Sequence, residues 1–140
     1  AGVGTCRFTG GAGADEGAFC LRWRAEIVAD VAWRGDVNQV WSAEQAVSVI
    51  SAWEYAWLGI ELGEQPVAMD DLGALEFVTR HVNTPILADE SVWTTRDLTD
   101  VGRRHAADMD NIQLAKTGGL SAALRMAGVA RRPDVNVDSC

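Results

Sequence analysis

The chain has 140 residues, 48% of them hydrophobic, and a formal net charge of −8. That length fits one domain with a real core, and that composition does not fit disorder. The acidic balance argues against nucleic acid or an anionic membrane as the main partner, and no apolar run approaches the ~18 residues of a membrane span.

In chain order, a strand is predicted near Val3–Thr9, leading into Gly10-Gly11-Ala12-Gly13. No Lys-Ser/Thr follows those glycines, so they read as a flexible loop and not a phosphate cradle. A helix is predicted over Asp15–Asp30 and a strand running to Asp36. Ser42-Ala43-Glu44-Gln45 has the form of a capping box, with Ser42 as N-cap. The helix it opens should bury Ala46, Val49, Ile50 and Trp53 on one face. Leu58–Leu62 is the next strand. Asp70 or Asp71 can cap a helix through His81, which Asn83-Thr84-Pro85 ends, because the residue before proline avoids the helical region. A strand at Ile86–Ala88, a helix from Thr94 or Thr95 to His105 and a strand at Asn111–Ala115 follow. Gly118-Gly119 precede a helix over Leu120–Arg131, and Val135–Val137 begins one more strand after Pro133.

Six strands and five helices in alternation imply a parallel α/β sheet. A doubly wound sheet and a (β/α)8 barrel both fit. A complete barrel needs about 250 residues, so only part of one is expected. Residues 1–140 read as a single domain with no linker. The N-terminus lacks a basic segment followed by an apolar one, which points to a cytoplasmic location.

Three acidic residues each close a short apolar run: Asp36, Glu64 and Asp89, 28 and 25 residues apart. One strand, one helix and two turns occupy about that length, roughly 30 residues. The carboxylates should therefore stand at the same ends of three neighbouring parallel strands. Converging oxygen ligands suit a hard divalent cation. Cys6, Cys20 and Cys140 give neither a disulfide framework nor a zinc site, and read as buried thiols. Lys116 is the only lysine. His81 and His105 lie near predicted helix ends, where a surface or capping role is expected. Trp23, Trp33, Trp53 and Trp57 read as packing between helices and sheet.

Four motifs carry a resemblance. Asp36-Val37-Asn38-Gln39-x-Trp41, Glu64-Gln65-Pro66, Thr84-Pro85-Ile86-x-Ala88-Asp89-Glu90-Ser91 and Asn111-Ile112-Gln113-Leu114-Ala115-Lys116-Thr117-Gly118-Gly119 resemble the barrel domain of the enolase superfamily. The branch they resemble most holds the muconate lactonizing enzymes (muconate cycloisomerases) and dipeptide epimerases. Order and spacing agree over Gly2–Val137. The resemblance implies a partial TIM-type barrel without the family's N-terminal capping domain and without the first and last barrel strands. It implies Mg²⁺, with Mn²⁺ possible, on Asp36, Glu64 and Asp89, supported by Asn38, Gln65 and Glu90. It also implies proton abstraction beside a substrate carboxylate, with the enolate stabilised by the cation.

The family pattern then breaks. Its early Lys-x-Lys is Arg7-Phe8-Thr9 here, so Thr9 stands at a base position. The lysine of its Asn-Ile-Lys motif is Gln113. Neither Thr nor Gln serves as a general base near neutral pH. Lys116 is the remaining candidate base. The leading expectation is a Mg²⁺-dependent lyase or isomerase of the muconate cycloisomerase type, acting on a small carboxylate. The rivals are an inactive barrel segment that binds a cation and associates with itself, and, ranked last, an amino-acid or dipeptide racemase or epimerase. The open edges of a partial barrel predict a homo-oligomer.

Overall fold

A computed structural model describes residues 5–9, 32–56, 58–130 and 138–139. The elements are β1 (Thr5–Thr9), β2 (Ala32–Asp36), α1 (Ala43–Tyr55), β3 (Ile60–Glu64), α2 (Leu72–His81), β4 (Ile86–Ala88), α3 (Thr95–Arg104), β5 (Met109–Asp110), α4 (Leu114–Thr117), α5 (Leu120–Ala130) and β6 (Asp138–Ser139). The six strands form one parallel sheet in sequential order, β1 to β6. The predicted helix over 15–30, the glycine-rich loop at 10–13, the strand at 135–137, Trp23 and Trp57 lie outside the described residues. No described helix is long and apolar enough to cross a membrane.

Helices α1, α2 and α3 begin where a capping side chain satisfies the first free amides. Ser42 Oγ accepts from Gln45 N at 3.2 Å while Gln45 Oε1 accepts from Ser42 N at 2.9 Å, the reciprocal capping box read from the sequence. Asp71, not Asp70, caps α2, accepting from Ala74 N at 2.8 Å. Thr94 caps α3, with Asp97 reaching back to Thr94 N at 2.9 Å. His105 ends α3 in the left-handed conformation, φ 51°. His81 closes α2, with Nδ1 2.7 Å from Phe77 O and its ring stacked on Phe77.

Two predicted strands are corrected. β3 starts two residues late, because the amide of buried Leu58 donates to Trp53 O at 3.2 Å and closes α1 first. The predicted strand Asn111–Ala115 is instead the two-residue β5, the short loop after it and the start of α4. Ladder bonding reaches Asn111 N, which donates to Ala88 O. The amides of Lys116 and Thr117 then both turn to Gln113 O at 3.1 Å.

The core lies between the sheet and its helices. Ala46, Ile50 and Trp53 of α1, Leu75 and Val78 of α2, and Leu98 and Val101 of α3 are buried against Ile86 and Ala88 of β4. Trp41 and Trp53 meet at 5.6 Å between ring centroids. Val49, expected on the buried face, is only half-buried. Gly63 faces this layer: a Cβ there would stand 3.4 Å from Ile86 Cδ1 and 3.6 Å from Ile50 Cδ1. Alternation along the strand then sends Leu62 and Glu64 to the opposite face. Leu62 and Leu87 are buried yet stand outside the helix-side cluster, as residues of a barrel interior would.

At the other end of the sheet, Glu54 of α1 staples the loop before β4. Its carboxylate accepts from Asn83 N (2.7 Å), Asn83 Nδ2 (3.1 Å), Thr84 N (2.6 Å) and Thr84 Oγ1 (2.9 Å). Partial burial raises its pKa, but these hydrogen bonds together outweigh burial and bring it below the ordinary 4.5. A depressed carboxyl pKa gives stability present above the unfolded-state value and lost as pH falls through the folded one. Glu54→Gln should therefore cost about 1 kcal/mol at neutral pH, discounted for the site's exposure. The gap to the wild type should close as pH drops below 4.5. Urea unfolding of both proteins across that range measures it; a gap independent of pH would show that charge is not the cause.

Candidate active site

The three predicted carboxylates all lie at the carboxyl end of the sheet. Asp36 and Glu64 are the last residues of β2 and β3 and are direct register partners. They are 5% and 6% exposed. Asp89 follows the last residue of β4. Glu64 pairs with Leu87, so Asp89 stands two residues on and, by alternation, on the same face. Thr9 is the backbone partner of Asp36, and Arg7 of Arg34, so both sit in the same rows.

The chain turns sharply after each strand. Asn38 and Gln39 are both left-handed, at φ 52° and 66°. Asparagine tolerates this region; glutamine does so at a cost. Asn38 N donates to Asp36 Oδ1 at 3.1 Å, fixing that carboxylate from behind. Val37, Gln39 and Trp41 donate in turn to the carbonyls of Glu64, Gln65 and Pro66, so the β2 and β3 ends remain zipped beyond the strands. Gln39 Oε1 also accepts from Met69 N at 3.0 Å.

Asp89 is surrounded differently from expectation. Gln113 Nε2 donates to Asp89 Oδ1 at 3.0 Å and Oδ2 at 3.1 Å. Lys116 Nζ donates to the Asp89 carbonyl at 2.7 Å and is ion-paired with Asp89 Oδ1. The pair is well buried, with side chains 8% and 13% exposed. Lys116, expected as a base, is thus a donor with two acceptors on one residue. The two residues met because α4 begins at Leu114, which a strand through Ala115 would have prevented. Glu90 contributes its carbonyl, which accepts from Trp93 Nε1 at 2.7 Å.

Oxygen donors on three adjacent strand ends fit a hard divalent cation in kind. Asp36 and Glu64 meet as neighbours; Asp89 is turned toward Lys116 and Gln113. Among the described residues no three His, Cys, Asp or Glu side chains converge as a ready metal cluster. A carboxylate has about four lone-pair sites, so Asp89 keeps capacity on Oδ2 beyond its bond from Gln113. Sequence reading missed Ser91, whose hydroxyl lies between Gln65 Nε2 (2.8 Å) and Met69 O (2.9 Å). Its only signal was its place after Asp89-Glu90.

The enolase C-terminal domain-like family matches residues 1–139. The L-Ala-D/L-Glu epimerase of Bacillus subtilis (strain 168) is 46% identical over 107 residues, which are 76% of this chain and 29% of that protein. The hydrophobic dipeptide epimerase of Enterococcus faecalis is 41% identical over 74% of this chain and 28% of its own length. A chloromuconate cycloisomerase from Pseudomonas sp. (strain P51) is 37% identical over 74% of this chain and 27% of its own. The chain thus covers under a third of these relatives. A substrate-liganded structure of the Bacillus subtilis epimerase superposes with a TM-score of 0.92 at 39% identity, covering 99% of this chain and 38% of that one. The Enterococcus faecalis dipeptide epimerase in complex with Mg and L-Leu-L-Tyr superposes at 0.88. The fold is part of a TIM-type barrel, and the chain belongs to the enolase superfamily, within its enolase C-terminal domain-like family.

Proposed function

We propose that this chain is the cation-binding part of an epimerase or racemase barrel, acting on the carbon beside the carboxylate of a dipeptide or related N-acylated amino acid. The observation that carries it is the row of Asp36, Glu64 and Asp89 on consecutive strand ends, with position 113 in contact with Asp89. The motifs alone ranked muconate-type lactonisation first and epimerisation last, because both lysines are missing. Inversion at a carbon needs a base on each face and lactonisation needs one, so that absence by itself weighs more on epimerisation. Identity to the epimerases, at 46% and 41% against 37% for the cycloisomerase, favours epimerisation.

Asp36, Glu64 and Asp89 would hold Mg²⁺ or Mn²⁺, which supplies charge compensation for a substrate carboxylate as the neighbouring proton leaves. Asn38 orients Asp36, and Lys116 with Gln113 orients Asp89. Lys116 acts as the counter-ion of Asp89. Gln113 and Thr9 supply no base, so proton exchange at the substrate carbon should be slow.

Calorimetric titration with Mg²⁺ tests the site. Binding should be measurable at millimolar metal and at least about tenfold weaker in Glu64→Gln, since even a ligand's supporting partner is worth that much. An unchanged isotherm in Glu64→Gln would remove Glu64 from the site. Exchange of the α-proton of L-Ala-L-Glu in D₂O, followed by NMR, tests the reaction. Lactonisation of muconate outpacing that exchange would reverse the order of the two readings.

Self-association belongs to the same proposal. Among the described residues β1 and β6 are each paired on one side only, and Leu114, Leu120 and Leu124 are exposed on α4 and α5. Unpaired strand edges and apolar patches favour contact with another copy. Light scattering at micromolar concentration should give a mass above the 15.0 kDa of one chain. A monodisperse monomer with a cooperative melt would mean that the sheet shields its own edges.

A further inference from the structure

We propose that Gln65 is the positioning residue that locks the Asp89 end of β4 to the Glu64 end of β3. Its side chain is fully buried between the two strand ends. Oε1 accepts from Asp89 N at 3.0 Å and from Ser91 N at 3.2 Å. Nε2 donates to Ser91 Oγ at 2.8 Å and to Val67 O at 3.0 Å. Two acceptances and two donations use the whole bonding capacity of a carboxamide. Its backbone completes the junction: Gln65 N donates to Leu87 O, and Gln65 O accepts from Gln39 N, both at 2.9 Å.

One residue thus joins the segments that follow β2, β3 and β4, and each of those segments adjoins one of the three carboxylates. The backbone at Gln65 is left-handed, φ 38°, an unfavourable conformation for a residue with a Cβ. Glycine would relieve that conformation, yet the position carries a long amide. Such strain persists where surrounding bonds over-determine it, and it concentrates at functional sites. Replacement by Glu keeps the oxygen for the two amides but removes both donors. Replacement by Leu keeps approximate volume and removes all four bonds. Asn is one carbon too short to span the same gap.

The inference rests on the proposed cation site only for its consequence, not for the junction itself. The test has two arms on the 140-residue chain. In the first, NMR follows amide exchange of Asp89 and Ser91 against Gly63 and Asn111, whose amides bond to Pro85 O and Ala88 O in the neighbouring ladders. Gln65→Leu should speed exchange of Asp89 and Ser91 at least about tenfold relative to those two references. Gln65→Glu should hold both amides near the wild-type rate. In the second, Mn²⁺ is titrated and its EPR spectrum recorded. Gln65→Leu should weaken binding by about tenfold to a hundredfold and alter the bound-ion spectrum, with partial rescue in Gln65→Glu.

Equal acceleration of all four amides in Gln65→Leu, with the Mn²⁺ spectrum of the fraction bound unchanged, would leave Gln65 a merely structural residue and overturn the proposal. If the leucine variant does not fold, Gln65→Glu decides: loss of protection at Asp89 and Ser91 there is the overturning result. A wild-type chain that binds no Mn²⁺ would sink the cation site, and the exchange arm would still decide the role of Gln65.

Discussion

Gln113→Lys should raise α-proton exchange on L-Ala-L-Glu by about a hundredfold to ten-thousandfold, the usual contribution of one positioned general base. Position 113 already faces the site: Gln113 Nε2 lies 3.0 Å and 3.1 Å from the Asp89 oxygens. The amide that occupies it donates but cannot take up a proton near neutral pH. An amine there would bring a titratable group to the same carboxylate, beside the ammonium of Lys116. Deuterium incorporation followed by NMR reads the gain, and a thermal melt confirms that the variant folds. Fast exchange in the wild type, abolished by Lys116→Ala, would show instead that Lys116 leaves Asp89 to act as the base.

Trp53→Ala should cost about 3–5 kcal/mol, the range for truncating a buried large aromatic. Whole domains are stable by only about 5–15 kcal/mol, so this one change should consume a large share of the margin. Trp53 is 1% exposed and touches Trp41 across the inner face of α1. Its carbonyl also accepts from Leu58 N, which sets where β3 begins. Trp93 gives the contrast within the same protein. It is 48% exposed and anchored by one indole bond to Glu90 O, so Trp93→Ala should cost far less. Urea unfolding followed by circular dichroism compares the two variants. Similar midpoints would mean that α1 tolerates a cavity and that the core relaxes around it.

Sequence by itself determined the features that depend on short-range chemistry and spacing. Ser42 with Gln45 could be read, and the cap of α3 narrowed to Thr94 or Thr95, because a cap needs only its own next three residues. The near-equal separations of Asp36, Glu64 and Asp89 implied one end of a parallel sheet because crossover geometry fixes unit length. The motifs around them identified the superfamily. Tertiary structure alone decided which side chains meet. The partnership of Lys116 with Asp89 spans 27 residues and depends on α4 starting at Leu114. Local propensity could not choose between a longer β5 and that short helix, because the choice lies in where the ladder bonds to Ala88 end. The missing lysines place epimerisation last, and similarity to whole epimerases, not any single position, moves it ahead of lactonisation. Gln65 makes the same point most directly. Its neighbours in sequence show only Glu-Gln-Pro, while the four hydrogen bonds of its side chain go to three residues on two different loops. A buried amide finds its bonds through the register of two strands, and that register exists only once the sheet has formed.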